Sequence, residues 1–153
     1  MANPFDFSTG AVLTAAQLNQ IGDWETWSPS LTNISIGNGS VTAHYAEVNE
    51  VVFFEIFMDV GSSTSFSGTS MQFSVPVASG SSLTFNPSAG GWCRPQGSTI
   101  YQLLTVVFSS GVIVPYAFQI PATYGQAVAI RGTIPETWNS DGVLYISGTY
   151  RAS

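Results

Sequence analysis

Acid–base chemistry would have to come from one short acidic stretch of this chain. It contains the single histidine and four nearby carboxylates: His44, Glu47, Glu50, Glu55 and Asp59. A nucleophilic site needs a histidine free to shuttle protons, and glycoside hydrolysis needs two carboxylates flanking a cleft. The sequence instead places His44 in the middle of an alternating strand, and Glu55 and Asp59 on one face of the next strand. We therefore predict no catalytic residues and no enzyme, with His44 an ordinary sheet-surface histidine and the carboxylates a solvated or inter-subunit row.

Metal and cofactor chemistry has equally few candidates. Cys93 is the only cysteine, so no internal disulfide can form, and with one histidine a single chain cannot assemble a zinc site of the usual nitrogen and sulfur type. Asn139 and Asp141 could offer oxygen ligands to calcium, but an Asp-Gly pair is more typical of a turn. There is no phosphate-binding loop or dinucleotide fingerprint. The sequence predicts neither a metal site nor a cofactor.

Four tryptophans at loop or strand-entry positions are the remaining candidates for ligand binding. They are Trp24, Trp27, Trp92 and Trp138. An exposed indole can stack on a sugar ring, which makes Trp92 and Trp138 candidate glycan contacts. Trp24 and Trp27 are better explained as side chains that close the end of the β-sandwich or pack in an oligomer interface.

The charge balance excludes whole classes of partner. The 153 residues include three arginines, no lysine and nine acidic residues, for a formal net charge of −6. Nucleic acids require a basic patch, so we expect no nucleic-acid partner, and anionic membranes are disfavoured for the same reason. No run approaches the ~20 apolar residues of a membrane span. The first ten residues lack a basic and then apolar segment, so we expect no secretory signal and a mature protein that begins near Met1.

The stretch from Trp24 to Val60 is predicted to be the frame of the fold. Turn residues at 37–39 and 49–50 should join three strands into a meander. The last of these strands, Val51–Val60, is apolar on both faces, as are Thr99–Ser109 and Val112–Ile120. Strands of this kind predict burial on both faces, and with only 8% charged residues this favours an obligate interface with other chains.

About eight or nine strands and no helical period after residue 22 predict an all-β fold. We expect an antiparallel β-sandwich or jelly-roll-like domain over residues 23–153, with a long excursion at 78–91 that holds one short strand at 82–85. The predicted core comprises Val41, Ala43, Tyr45, Phe54, Ile56, Met58, Phe73, Val75, Leu103, Val107, Val114, Tyr116, Phe118, Ile130, Leu144 and Ile146.

Residues 1–22 are predicted to be an arm with one short helix. Thr14 and Gln17 form a capping box, Leu13 and Leu18 a hydrophobic staple, and Gly22 suits the C-terminal position. A helix this short needs a surface to dock on. The predicted attachment or oligomer contacts are Phe5, Phe7, Leu13, Leu18, Ile21, Trp24, Trp27, Val51, Phe53 and Phe57.

Four segments carry a resemblance to a known family: GAVLTAAQLN at 10–19, DWETWSPSLTN at 23–33, GSVTAHYAEV at 39–48 and ISGTYRA at 146–152. Together they resemble a compact β-domain recurrent in structural proteins of tailed bacteriophages, including minor tail proteins, tail fibres and head fibres or decorations. The resemblance implies a non-enzymatic, homo-oligomeric virion protein, with a trimer the expected assembly, produced in the host cytoplasm.

Two locations on the virion follow from that resemblance. A single small domain without a long shaft favours a capsid decoration or head fibre, anchored by its N-terminal arm to the major capsid protein or another virion protein. The alternative is a tail or baseplate receptor-binding domain that recognises host glycans through loop aromatics.

Overall fold

The computed structural model describes residues 12, 14, 21–80, 86–119 and 126–153. These residues form an all-β, antiparallel structure without a helix, which confirms the predicted class. The strands are β1 Glu25–Trp27, β2 Leu31–Thr32, β3 Ile34–Ser35, β4 Ser40–Val48, β5 Val51–Asp59, β6 Ser65–Phe66, β7 Gln72–Ser74, β8 Asn86–Arg94, β9 Tyr101–Phe108, β10 Val112–Gln119, β11 Gln126–Ala129 and β12 Val143–Arg151.

Ten of the strands form one sheet that curls on itself into a half-barrel. Its order is β1-β4-β5-β12-β8-β9-β10-β7-β2, with β11 also pairing with β10, while β3 and β6 form a separate pair. The two end strands, β1 and β2, are separated in sequence only by residues 28–30. So short a link spans at most about 14 Å, which brings the ends of the sheet towards each other. The link is held by Ser74, whose backbone N–H donates to the Ser30 carbonyl at 3.0 Å.

The core lies on the concave side of this sheet, and β5 is its centre. Val52, Phe54, Ile56 and Met58 are almost completely buried and alternate with outward residues along the strand. Ile56 stands opposite Ala43 on β4 and Ile146 on β12, so one apolar layer crosses three strands. Full burial of each such side chain is worth about 1.5–3 kcal/mol, which explains why these strands occupy the middle of the sheet.

Most of the predicted core is confirmed. The buried members are Ala43, Tyr45, Phe54, Ile56, Met58, Phe73, Leu103, Val107, Val114, Ile130, Leu144 and Ile146. Val41, Val75 and Tyr116 are partly buried. Phe118 was assigned wrongly, because its side chain is 61% exposed.

The error on Phe118 concerns which face of β10 points into the core. Ile113 and Ala117 point into the core, opposite Val107 and Leu103 of β9. Val114, Tyr116 and Phe118 were predicted to do so, but they lie on the opposite face, where Val114 is buried beside Val106 of β9. Both sets are apolar, and alternation then cannot decide which set faces inward.

The first predicted meander is only partly correct. The β4–β5 hairpin turns at residues 49–50 as predicted, with Asn49 at φ 56°. The turn at Gly37–Gly39 forms as well, yet β3 before it pairs with β6 rather than β4. A side-chain contact accounts for this, because Asn38 Oδ1 accepts the Ser63 backbone N–H at 2.8 Å and ties the turn to the segment that leads into β6.

A long central strand, β8, occupies part of the region predicted to be an excursion. It lies between β12 and β9, in the middle of the sheet. Gly91 is required there, since a Cβ atom on it would lie 2.2 Å from the Tyr145 carbonyl oxygen and 2.9 Å from Ile146 Cα. Glycine, serine and proline normally signal a loop, and here the close approach of two strands explains the glycine instead.

The predicted arm falls mostly outside the described residues, and so does the short strand expected at 82–85. Phe5, Phe7, Leu13, Leu18 and the interior of the predicted helix are among the residues without a description. Within the described part of the chain, no helix has the length and apolar character needed to cross a membrane.

Two buried ionisable groups predict how stability changes in alkali. Burial raises the pKa of the Cys93 thiol to about 12 from 9.0, and that of the Tyr150 hydroxyl to about 12 from 10.0. The Tyr150 hydroxyl also donates to the Val77 carbonyl at 2.7 Å. Because the unfolded chain loses these protons first, the folding free energy is retained below about pH 9 and falls between about pH 9 and pH 12.

Urea unfolding in steps from about pH 8 to pH 11 checks this expectation, with each titrating group limiting the slope to about 1.4 kcal/mol per pH unit. The Tyr150→Phe variant cannot ionise at that position, so its stability should decline less steeply above about pH 10. A wild-type stability that stays constant over the whole range would contradict the prediction.

Candidate functional site

The convex side of the sheet carries a continuous set of side chains that point away from the core, and we call it the outer face. One row of residues in direct cross-strand register runs across β4, β5, β12, β8 and β9. This aromatic row consists of Thr42, Phe57, Tyr145, Trp92 and Gln102. The neighbouring row contains His44, Glu55 and Ser147.

A polar network occupies the middle of the outer face. His44 Nδ1 lies 3.1 Å from Glu55 Oε1, and the Tyr145 hydroxyl donates to Glu55 Oε2 at 3.4 Å. His44 therefore sits where the sequence placed it, on the sheet surface. The residues opposite Glu55 on its flanking strands are His44 and Ser147, so no second carboxylate faces it in register. The network holds the Glu55 carboxylate as a hydrogen-bond acceptor.

An apolar strip on β5 flanks this network, with Val51 and Phe53 on one side of Glu55 and Phe57 on the other. It consists of Val51, Phe53 and Phe57, and these side chains are between 36% and 42% exposed. Their neighbours in sequence on the opposite face, such as Phe54, are completely covered. The strand thus carries apolar residues on both faces as predicted, and among the described residues only one of the two faces is fully buried.

Two further predicted contact residues are exposed near one end of the strip. Ile21 and Trp24 are both exposed. A Cβ atom built on Gly22, which lies between them, would be 3.2 Å from Val48 Cγ2, and this places the segment against the β4–β5 hairpin. Trp27 differs, because it packs edge-on against Tyr45 with ring centroids 6.1 Å apart. It therefore seals the edge of the core.

A second feature of the outer face is an open notch beside Trp92. It has a volume of about 480 Å³ and is lined by Gly90, Gly91, Trp92, Ile100, Gln102 and Leu103. The indole of Trp92 lies next to the ring of Tyr145, with centroids 6.4 Å apart and planes tilted by 31°. The Trp92 indole and the Gln102 amide thus border one shallow depression, and the Tyr145 ring flanks the indole on the β12 side.

Trp138 is not available as a glycan contact. Its side chain is only 7% exposed, packs against Phe66 at a centroid distance of 5.6 Å, and donates from Nε1 to the Ile134 carbonyl at 3.4 Å. The loop position suggested exposure, but the loop folds the indole into the core. Trp92 is the predicted glycan contact that remains accessible.

Among the described residues, no group of three or more histidine, cysteine, aspartate or glutamate side chains lies close enough together to hold a metal ion. Asn139 and Asp141 form a turn, in which the Gly142 N–H donates to the Asn139 carbonyl at 3.0 Å.

Comparisons with protein-family models, with curated proteins and with solved structures found no match to this chain. Its function therefore has to be argued from the outer face itself.

Proposed function

We propose that this chain is a non-enzymatic structural protein that assembles with copies of itself through the apolar strip, on the surface of a tailed-phage particle. The observation that carries the proposal is the exposure of Val51, Phe53 and Phe57 on one face of the most deeply buried strand.

Water contact at these three side chains is unfavourable, and a second copy would remove it. Apolar and aromatic residues at the centre of a contact with little charge are typical of stable homo-oligomer interfaces. Two of the nearby charges are partly satisfied, since Glu55 is held by His44 and Tyr145 and Glu50 accepts from Arg151 Nε at 2.8 Å, while Asp59 lies at the end of β5 beyond Phe57. Copies that meet through the strip consequently bring few unpaired charges together.

The virion location rests on the resemblance in sequence. On that basis we propose a trimer on the capsid surface, anchored to the major capsid protein or another virion protein by the arm of residues 1–22 with its short helix, and a jelly-roll-like arrangement of the strands. Imaging of labelled protein on intact particles by electron microscopy would test this location, and label confined to the tail would contradict it.

The assembly is tested by sedimentation of the full chain. The wild type should sediment as an oligomer at micromolar concentration, whereas Phe53→Ser with Phe57→Ser should shift it to monomers, because truncation of central aromatic anchors typically costs about 2 kcal/mol or more each. Phe118→Ser is the matched control, since it removes an exposed phenylalanine from β10, outside the strip. A monomeric wild type, or equal sedimentation of all three proteins, would disprove assembly through this strip.

A further inference from the structure

We propose that the notch beside Trp92 binds one uncharged pyranose ring of a glycan. This site is separate from the apolar strip, and its occupation does not depend on the assembly proposed above.

The aromatic surface supports this assignment first. Trp92 and Tyr145 are neighbours in direct register on β8 and β12, and each is partly exposed. A rigid pair of rings on strands offers an apolar platform that loses little conformational freedom on binding. The C–H face of a pyranose ring suits such a platform, while its hydroxyl groups remain at the edge for hydrogen bonds.

Gly90 keeps the floor of the notch open, and its role differs from that of Gly91. A Cβ atom added to Gly90 would meet only the Leu103 carbonyl oxygen, at 3.4 Å, which is an ordinary contact. Gly90 is therefore not needed for strand packing, and its small size leaves the space beside Trp92 free. A ring can approach the backbone there.

Polar groups around the notch match the hydroxyl groups of a sugar. The exposed Gln102 amide supplies two N–H donors and an acceptor. The Tyr145 hydroxyl donates to Glu55 on the side of the aromatic pair away from the notch, so the Gln102 amide is the polar side chain that lines it. A purely apolar ligand would leave this amide unused, and it would also prefer a more enclosed cavity.

The electrostatic character of the notch favours an uncharged sugar over an acidic one. None of the residues that line the notch is charged. Arg94 lies on the same face, but its Nη2 donates to the Asp141 carbonyl at 3.0 Å, on the β12 side of β8. The notch is on the β9 side, so its lining offers no cation to pair with an acidic sugar.

The experiment is a titration of the full-length protein in its native assembly, followed by calorimetry and by the indole N–H signal of Trp92 in NMR spectra. The probes are cellohexaose, maltohexaose and a β-1,4-galactohexaose as neutral ligands, with sialyllactose as the acidic one. We expect saturable binding of at least one neutral probe with a Kd on the order of 1 mM, since a single stacked ring buries little area.

Three variants locate the site. Trp92→Ala should weaken binding by about tenfold, at the upper end of what an aromatic contact contributes beyond its buried area. Gly90→Leu should abolish binding by filling the notch while leaving the Trp92 indole in place. Trp24→Ala removes an exposed indole elsewhere and should leave the affinity unchanged.

Several results would overturn the proposal. They are no saturable binding of any neutral probe up to about 10 mM, a preference for sialyllactose, an unchanged affinity in Trp92→Ala, or an unchanged affinity in a folded Gly90→Leu protein.

Discussion

Gly91→Ala is expected to destabilise the protein by about 3 kcal/mol or more, a large part of the roughly 5–15 kcal/mol by which a typical domain is stable. The added methyl group would lie 2.2 Å from the Tyr145 carbonyl oxygen, which is backbone in the neighbouring strand and cannot rotate away. Relief would require β8 and β12 to separate at the centre of the sheet. Ladder hydrogen bonds and the packing of Ile146 would be weakened together.

Gly90→Ala is the control for this prediction. It introduces the same methyl group one residue earlier, but the nearest contact is at an ordinary 3.4 Å. Its free energy of unfolding should stay within about 1 kcal/mol of the wild type, because alanine also restricts the unfolded chain. Urea titration followed by circular dichroism measures both variants. Equal stability of the two would mean that β8 and β12 do not approach as closely as described.

The second large effect concerns adjacent phenylalanines on β5 that face opposite ways. Phe54 is 1% exposed and tilts against Tyr150 at a ring-centroid distance of 6.1 Å, whereas Phe53 belongs to the apolar strip. Phe54→Ala should cost about 3–5 kcal/mol of folding free energy, as truncation of a buried phenylalanine usually does. Phe53→Ala should cost the isolated chain less than about 1 kcal/mol.

The two variants should rank in the opposite order when the dissociation of the oligomer is measured. At concentrations where Phe54→Ala is still folded, its dissociation constant should match that of the wild type, whereas Phe53→Ala should dissociate more readily. Denaturation at several protein concentrations separates the two quantities, since only assembly makes the unfolding midpoint depend on concentration. If Phe53→Ala destabilised the monomer as much as Phe54→Ala, the strip would be part of the core rather than a contact surface.

The parts of the fold that follow from sequence are those with local signals. β12 carries such a signal, because Leu144, Ile146 and Tyr150 alternate with more polar residues after an Asp-Gly turn. β8 was missed, since its glycines are explained only by the strand beside them. The inward face of β10 was also missed, because a strand with two apolar faces carries no alternation to read.

In the candidate site, too, some features follow from local sequence signals and others only from the pairing of distant strands. Glu55 and Asp59 share a face of β5 with Val51, Phe53 and Phe57, and these two charges marked that set as outward. The position of Trp92 beside Tyr145 depends on the pairing of β8 with β12, two strands far apart in the chain, and nothing local signals it. Burial of Trp138 likewise follows from contacts with Phe66 across the fold.

The link at residues 28–30 also limits how copies can meet. An unpaired edge strand offers a row of free N–H and C=O groups to which another chain can add, and repeated addition gives fibres. Here β1 covers the middle of the long strand β4, at Ala43–Tyr45, and β2 covers Gln72 and Phe73 of β7, so each end of the sheet is a strand of only two or three residues. Strand addition would therefore extend only short edges, and under the proposed assembly the faces of the sheet, rather than its edges, would join copies into a closed ring.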